Sequence, residues 1–249
     1  MTARAGTDGP ADAWTLAFAG PDRSGGFVRL TRAGRDAWYW AYLVGPDTGL
    51  VVVRDHELAA PRPAGPLVVR GDGLWAELLL DPPAEHWSVG LEAFGVRLGD
   101  PLDADRGERG DRLPVGLDLD WDSAAGPFGR VDGDAAVGAT RRTVAATGHA
   151  EHWAGRRPAR RLIWQTDAAH GRSVEGDAVG LTLDRAGLPA GVTAAGQRFP
   201  VAAVAVVPAP TRVVLALVGD DAGWGWLEWR PGAEGPAGRL AGPGGGRVA

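Results

Sequence analysis

Apolar and polar residues alternate along this chain in short segments bounded by glycine, proline and aspartate, and long runs with a 3.6-residue apolar period are scarce. The alternation predicts β-strands over Trp14 to Phe18, Gly26 to Thr31, Ala37 to Val44, Leu50 to His56, Leu67 to Arg70, Leu74 to Leu80, His86 to Leu98 and Val115 to Trp121. A Gly/Pro/Asp-rich break at Asp122 to Asp134 follows. A second series covers Ala136 to Ala146, Leu162 to Thr166, Val179 to Asp184, Val201 to Val206, Arg212 to Val218 and Trp224 to Trp229. The expected fold is all-β, two barrel or sandwich units of similar size packed together. They span residues 1–125 and 126–249, the second with a disordered glycine-rich tail at Gly242 to Gly246.

Period two assigns side chains to faces. Trp38, Trp40 and Tyr42 share one, with Tyr39 and Ala41 opposite. Trp87, Val89 and Leu91 lie opposite His86, Ser88, Gly90 and Glu92. Leu117, Leu119 and Trp121 face away from Asp118 and Asp120. Trp224 and Trp226 lie together near the end. Eleven tryptophans against five phenylalanines and two tyrosines make these faces unusually rich in indole. A single tryptophan is ordinary core filling, but adjacent same-face pairs form a continuous wall suited to a flat, polyene or cationic ligand.

Composition narrows the chemistry. A formal net charge of −5 and a pI near 5.5 offer no general attraction to nucleic acid or anionic lipid. The basic run Arg156, Arg157, Arg160 and Arg161 is the local exception, read as a solvated turn and strand edge. No cysteine is present, which removes thiolate chemistry, and no lysine, which removes Schiff bases and the P-loop cation. No serine sits in a nucleophile elbow. No stretch reaches the ~18 apolar residues of a membrane helix, and Met1 to Pro10 lacks a signal-peptide core, so a cytoplasmic location is expected.

The densest polar cluster runs from Thr147 to Gly155 and contains His149, Glu151, His152 and Trp153. In an extended segment His149 and Glu151 project together and His152 projects away, so joint metal ligation needs a bulge; no metal and no cofactor is expected. An acid–base pair asks for less, namely a carboxylate in an apolar pocket beside a histidine that orients it. The order Glu85-His86-Trp87 recurs at Glu151-His152-Trp153, a hint that both halves offer the same kind of strand start.

Four segments carry a family resemblance: Trp38-Tyr39-Trp40, Pro114 to Trp121, Gly148 to Gly155, and Gly223 to Trp229. Together they resemble the AttH-like and carotenoid 1,2-hydratase (hydroxyneurosporene synthase) superfamily, whose members consist of two lipocalin-like β-units. The family's mid-chain motif, Gly-x-x-Asp-His-x-Trp-Gly, is matched in spacing by Gly148, Glu151, His152 and Gly155. Glu151 replaces its aspartate, Ala154 its tryptophan, and Trp153 stands one position early. The resemblance implies an apolar polyene, terpenoid or polyketide-like substrate, hydrated, cyclised or rearranged without a cofactor. Glu151 would supply or relay a proton and His152 would position it. Trp38, Trp40, Tyr42, His86, His149, Trp153, Trp164, Trp224 and Trp226 would line the pocket. Two other readings stand beside this one: a carrier for the same ligand, as a single chain or a homodimer, and a carbohydrate-binding face in which Asp118 and Asp120 meet hydroxyls.

Overall fold

The structure is a computed structural model that describes residues 12–22, 24–62, 65–81, 85–99, 110–155, 160–166, 172–175, 178–194, 196–207, 213–220 and 223–229. These residues form seventeen strands and no α-helix. The first ten are β1 (Asp12–Ala19), β2 (Gly25–Ala33), β3 (Asp36–Gly45), β4 (Gly49–Ala59), β5 (Leu67–Gly71), β6 (Leu74–Asp81), β7 (His86–Leu98), β8 (Gly110–Asp122), β9 (Phe128–Val137) and β10 (Thr140–Ala154). They make one antiparallel sheet in the order β4-β3-β2-β1-β10-β9-β8-β7-β6-β5. A further pairing of Leu50 to Val52 with Val96 to Leu98 joins β4 to β7 and closes the sheet into a barrel. Closure is eight strands round at that end. At the other end the β5–β6 hairpin adds two strands beyond β7 and packs against β4, so the barrel widens.

The remaining strands are β11 (Arg160–Thr166), β12 (Arg172–Glu175), β13 (Val179–Leu183), β14 (Pro189–Ala194), β15 (Gln197–Val207), β16 (Val213–Asp220) and β17 (Gly223–Trp229). They form a second sheet in the order β12-β11-β17-β16-β15-β14-β13. It covers the outside of β1 to β4, where Ala17, Phe27, Trp40, Tyr42 and Val52 belong to one buried cluster with Trp226, and Leu162 and Leu227 extend that cluster on the other face of the second sheet. The other face of β1 to β4 fills the barrel with Leu16, Val28, Leu30, Tyr39 and Val51.

The change of sheet falls between Ala154 and Arg160 and not at Asp122 to Asp134. The latter segment contains the β8–β9 connection and the start of β9, which pairs along β8. Two of its glycines serve close backbone approach: a side chain at Gly129 would collide with the Asp122 carbonyl, and one at Gly133, whose φ is 138°, with the Asp118 carbonyl. The strand expected over Ala136 to Ala146 is two strands, turned at Gly138 with a φ of 62°. Strands β12 and β14 carried no clear alternation, and the tail at Gly242 to Gly246 lies outside the described residues. No helix among the described residues is long and apolar enough to cross a membrane.

Candidate functional site

Because side chains alternate along each strand, the outward faces of β3, β2, β1 and β10 form three rows beneath the second sheet. Cα pairing gives them as Tyr42-Phe27-Ala17-His149, Trp40-Arg29-Thr15-Glu151 and Trp38-Thr31-Ala13-Trp153. The middle row carries charge into an aromatic layer. From the opposite sheet come Arg161 and Glu228, which are themselves cross-strand partners on β11 and β17. The result is a square of four alternating charges. Arg29 donates to both carboxylate oxygens of Glu228, at 3.3 and 2.7 Å, and from Nε to Thr15 Oγ1 at 3.1 Å. Arg161 donates from Nη1 to Glu151 Oε1 at 2.5 Å. The four side chains are only 9% (Arg29), 9% (Glu228), 7% (Arg161) and 11% (Glu151) exposed, so each charge has given up most of its water.

Aromatic groups enclose the square. The Arg29 guanidinium lies 4.7 Å from the Phe27 ring centre, and that of Arg161 lies 5.5 Å from the Trp153 ring. Trp226 stands 6.0 Å from Phe27 and donates its indole N–H to the Phe18 carbonyl across the layer at 3.0 Å. Trp38 and Trp40 meet edge to face at 6.2 Å, and His56 packs on Trp40 at 5.7 Å. His149 is buried against Phe128, 4.8 Å between ring centres.

The layer thus brings together Trp38, Trp40, Tyr42, His149, Glu151, Trp153 and Trp226 from the expected site. Trp164 and Trp224 sit on described strands, but their side chains fall outside the description. Two expected residues lie elsewhere. His152 points to the opposite face of β10 from Glu151, as period two requires, so it does not position that carboxylate. It stacks on Trp14 at 4.8 Å, at the wide end of the barrel, with Asp12 3.6 Å from Nε2. His86 lies on the barrel's outer face, its Nδ1 2.7 Å from Asp122 and its Nε2 3.2 Å from Ser88. The E-H-W repeat is therefore reversed in space, with Trp87 inside the barrel and Trp153 outside it.

Sequence reading missed Arg29, Thr15, Arg161 and Glu228. Arg161 in particular is buried rather than part of a solvated basic edge. A lone arginine amid the apolar run of β2, Phe27 to Leu30, was the available signal.

The barrel interior holds a second aromatic group at its wide end: Trp14, Tyr39, Trp87 and Trp121, the last two edge to face at 6.0 Å. The Tyr39 hydroxyl and the indole nitrogens of Trp87 and Trp121 are buried without a hydrogen-bond partner among the described residues. Burial pushes the Tyr39 phenol well above its ordinary pKa, so it stays a neutral donor. At the narrow end a cavity of about 30 Å³, lined by Phe18, Leu43, Val137 and Val144, has room for a water or two. No group of three or more His, Asp and Glu among the described residues could hold a metal ion.

No family model and no curated protein matches the sequence. Among solved structures the chain is similar to kievitone hydratase from Nectria haematococca, with a TM-score of 0.38 and 8% identity over 88% of this chain and 87% of that one.

Proposed function

We propose that the layer between the two sheets binds an apolar small molecule and directs one polar group of it at the Arg29, Thr15, Glu151 row. The observation that carries the reading is the charge square inside an aromatic layer. Four fixed charges of alternating sign in apolar surroundings favour polarised groups held among them far more than water would. Arg161 donates to Glu151 in a buried ion pair, which leaves the row an acceptor oxygen. The role of Glu151 in a hydration is then a relay. It takes a proton from the attacking water as the water oxygen bonds to one alkene carbon, and returns that proton to the neighbouring carbon. His149 shares the outward face of β10 with Glu151, whereas His152 does not, so His149 takes the imidazole role in this reading. Carriage without chemistry needs only the aromatic wall.

A naphthalene-type dye is expected to quench tryptophan fluorescence saturably, with affinity lost in Trp40→Ala and retained in Trp87→Phe. Indifference of the wild type to the dye would sink the reading. One observation favours a different seat for the same ligand class: the unpartnered donors of Tyr39, Trp87 and Trp121 suit the oxygen of a molecule held inside the wide end of the barrel. The reverse pattern, loss in Trp87→Phe and not in Trp40→Ala, selects that seat.

A further inference from the structure

The outer face of the barrel, away from the second sheet, carries a trough that neither aromatic interior uses. Cα pairing across β6, β7, β8, β9 and β10 sets one row as Trp75-Glu92-Gly116-Ala136-Arg141. A large ring stands at one end and a guanidinium at the other, and between them, past Glu92, the floor at Gly116 and Ala136 carries no more than a methyl group. Strands spaced ~4.8 Å apart make the Gly116-Ala136 gap wide enough for a sugar ring. The next row on one side is Glu77-Gly90-Asp118-Asp134, and on the other Phe94 pairs with Pro114. Gly71, Gly73 and Gly138 keep the rim low along the same hollow.

Of its two aromatic walls, Phe94 is exposed and Trp75 is half-buried. Trp75 lies over Gly90, where an added Cβ would stand 3.1 and 3.2 Å from two of its ring atoms, so glycine lets the indole lie flat on the sheet. Phe94 is 53% exposed, with the Arg112 guanidinium 4.8 Å from its ring centre. The carboxylates Glu77, Glu92, Asp118 and Asp134 repel an anion, and among the described residues no acidic cluster is dense enough to hold a metal cation. A protein partner needs a broader apolar surface. Among the described residues only Leu79 and Phe94 are exposed large hydrophobics, far below the area of a stable interface.

We propose that this trough binds a neutral hexopyranose chain, one ring stacked on Trp75 and Phe94 and its hydroxyls donating to Glu92 and Asp118. Aromatic faces receive the C–H face of a pyranose, and carboxylates accept from vicinal hydroxyls.

Cellohexaose and maltohexaose, titrated separately into the intact chain and followed by two-dimensional NMR of the indole N–H signals, test the site. Saturable movement of the Trp75 signal by at least one sugar is expected. Trp75→Ala and Phe94→Ala should each weaken that binding about tenfold or more, and Gly116→Leu, which fills the floor, should abolish it. Arg185→Ala, at an exposed turn between β13 and β14, should leave it unchanged. Failure of both sugars to move the Trp75 signal overturns the proposal, as does binding that survives Trp75→Ala and Phe94→Ala.

Discussion

Strands β1 to β4 and strands β6 to β9 close the same barrel from opposite sides with different sequence grammar. In β7 and β8 buried and exposed positions alternate, as in Leu117-Asp118-Leu119-Asp120-Trp121. One face fills the barrel and the other meets water. In β1 and β2 almost every residue is buried, because the second sheet covers the side that would otherwise be wet. The consequence is chemical. A charge on the β6 to β9 wall is solvated and cheap, as with Asp134, whose partner Arg141 on the neighbouring β10 is exposed too. A charge on the β1 to β4 wall must bring its partner with it, as Arg29 does by reaching across to Glu228; Glu151, on the covered end of the adjoining β10, does the same with Arg161.

Removing one partner on each wall gives the largest expected contrast. Arg29→Ala leaves Glu228 buried and uncompensated and should lower unfolding free energy by ~3–5 kcal/mol. Arg141→Ala should not move the denaturation midpoint measurably, since its pair with Asp134 is exposed. Equal midpoints for the two variants in urea would show that the layer between the sheets is wet, and the comparison would collapse. Arg29→Met with Glu228→Leu, which removes both charges, should recover most of the stability lost by Arg29→Ala.

Glycines sharpen the same contrast at smaller magnitude. Gly26 sits under the Phe18 ring on the inward face of β2, and an added methyl would drive into that ring. Gly26→Ala should destabilise by ~1–3 kcal/mol. Gly116 is outward on β8, where a Cβ would rest 3.6 Å from Ala136 in ordinary contact. Gly116→Ala should be neutral or stabilising by about 0.5 kcal/mol, through a less flexible unfolded chain. Thermal melts of the two variants check the order, and a reversed order breaks it.

Legibility in the sequence followed the same divide. Among strands that alternate, β7 was readable in extent and facing and β8 in facing, although its start, Gly110 to Pro114, was not; Trp38, Trp40 and Tyr42 were correctly set on one face because parity needs no knowledge of partners. Parity also separates Glu151 from His152. A motif read as adjacent letters suggested a functional pair, while the strand turns those letters in opposite directions. The square itself was not legible, since Arg29 and Glu228 are 199 residues apart and no local pattern encodes a contact between sheets. The polar content of 122–134 misled because glycine marks two things, a turn and a place where another backbone comes close; Gly133 is the second kind.

Two histidines give the smallest and most direct test of the contrast, because their environments push them in opposite directions from the ordinary value of 6.5. His56 packs edge-on against Trp40 beside the doubly buried wall. Burial, aided by the nearby Arg54 charge, holds its pKa below that value. His86 lies on the wet wall, where its hydrogen bond with the Asp122 carboxylate lifts its pKa above that value. The signs follow by linkage. The His86 contribution to stability is complete below the unfolded value of 6.5 and is lost as pH rises through its higher folded value. The His56 contribution is complete above 6.5 and is lost as pH falls from there through its lower folded value, since protonation must then put a cation in a poorly hydrated place. At 37% side-chain exposure His86 is screened by solvent, so NMR titration of the two imidazoles is the suitable readout rather than a stability curve. Asp122→Asn should return His86 toward 6.5 and leave His56 where it was. Coincident titration of both rings in the wild type would mean that the two walls are equally wet at these positions, and the difference between them would then rest on the buried ion pairs alone.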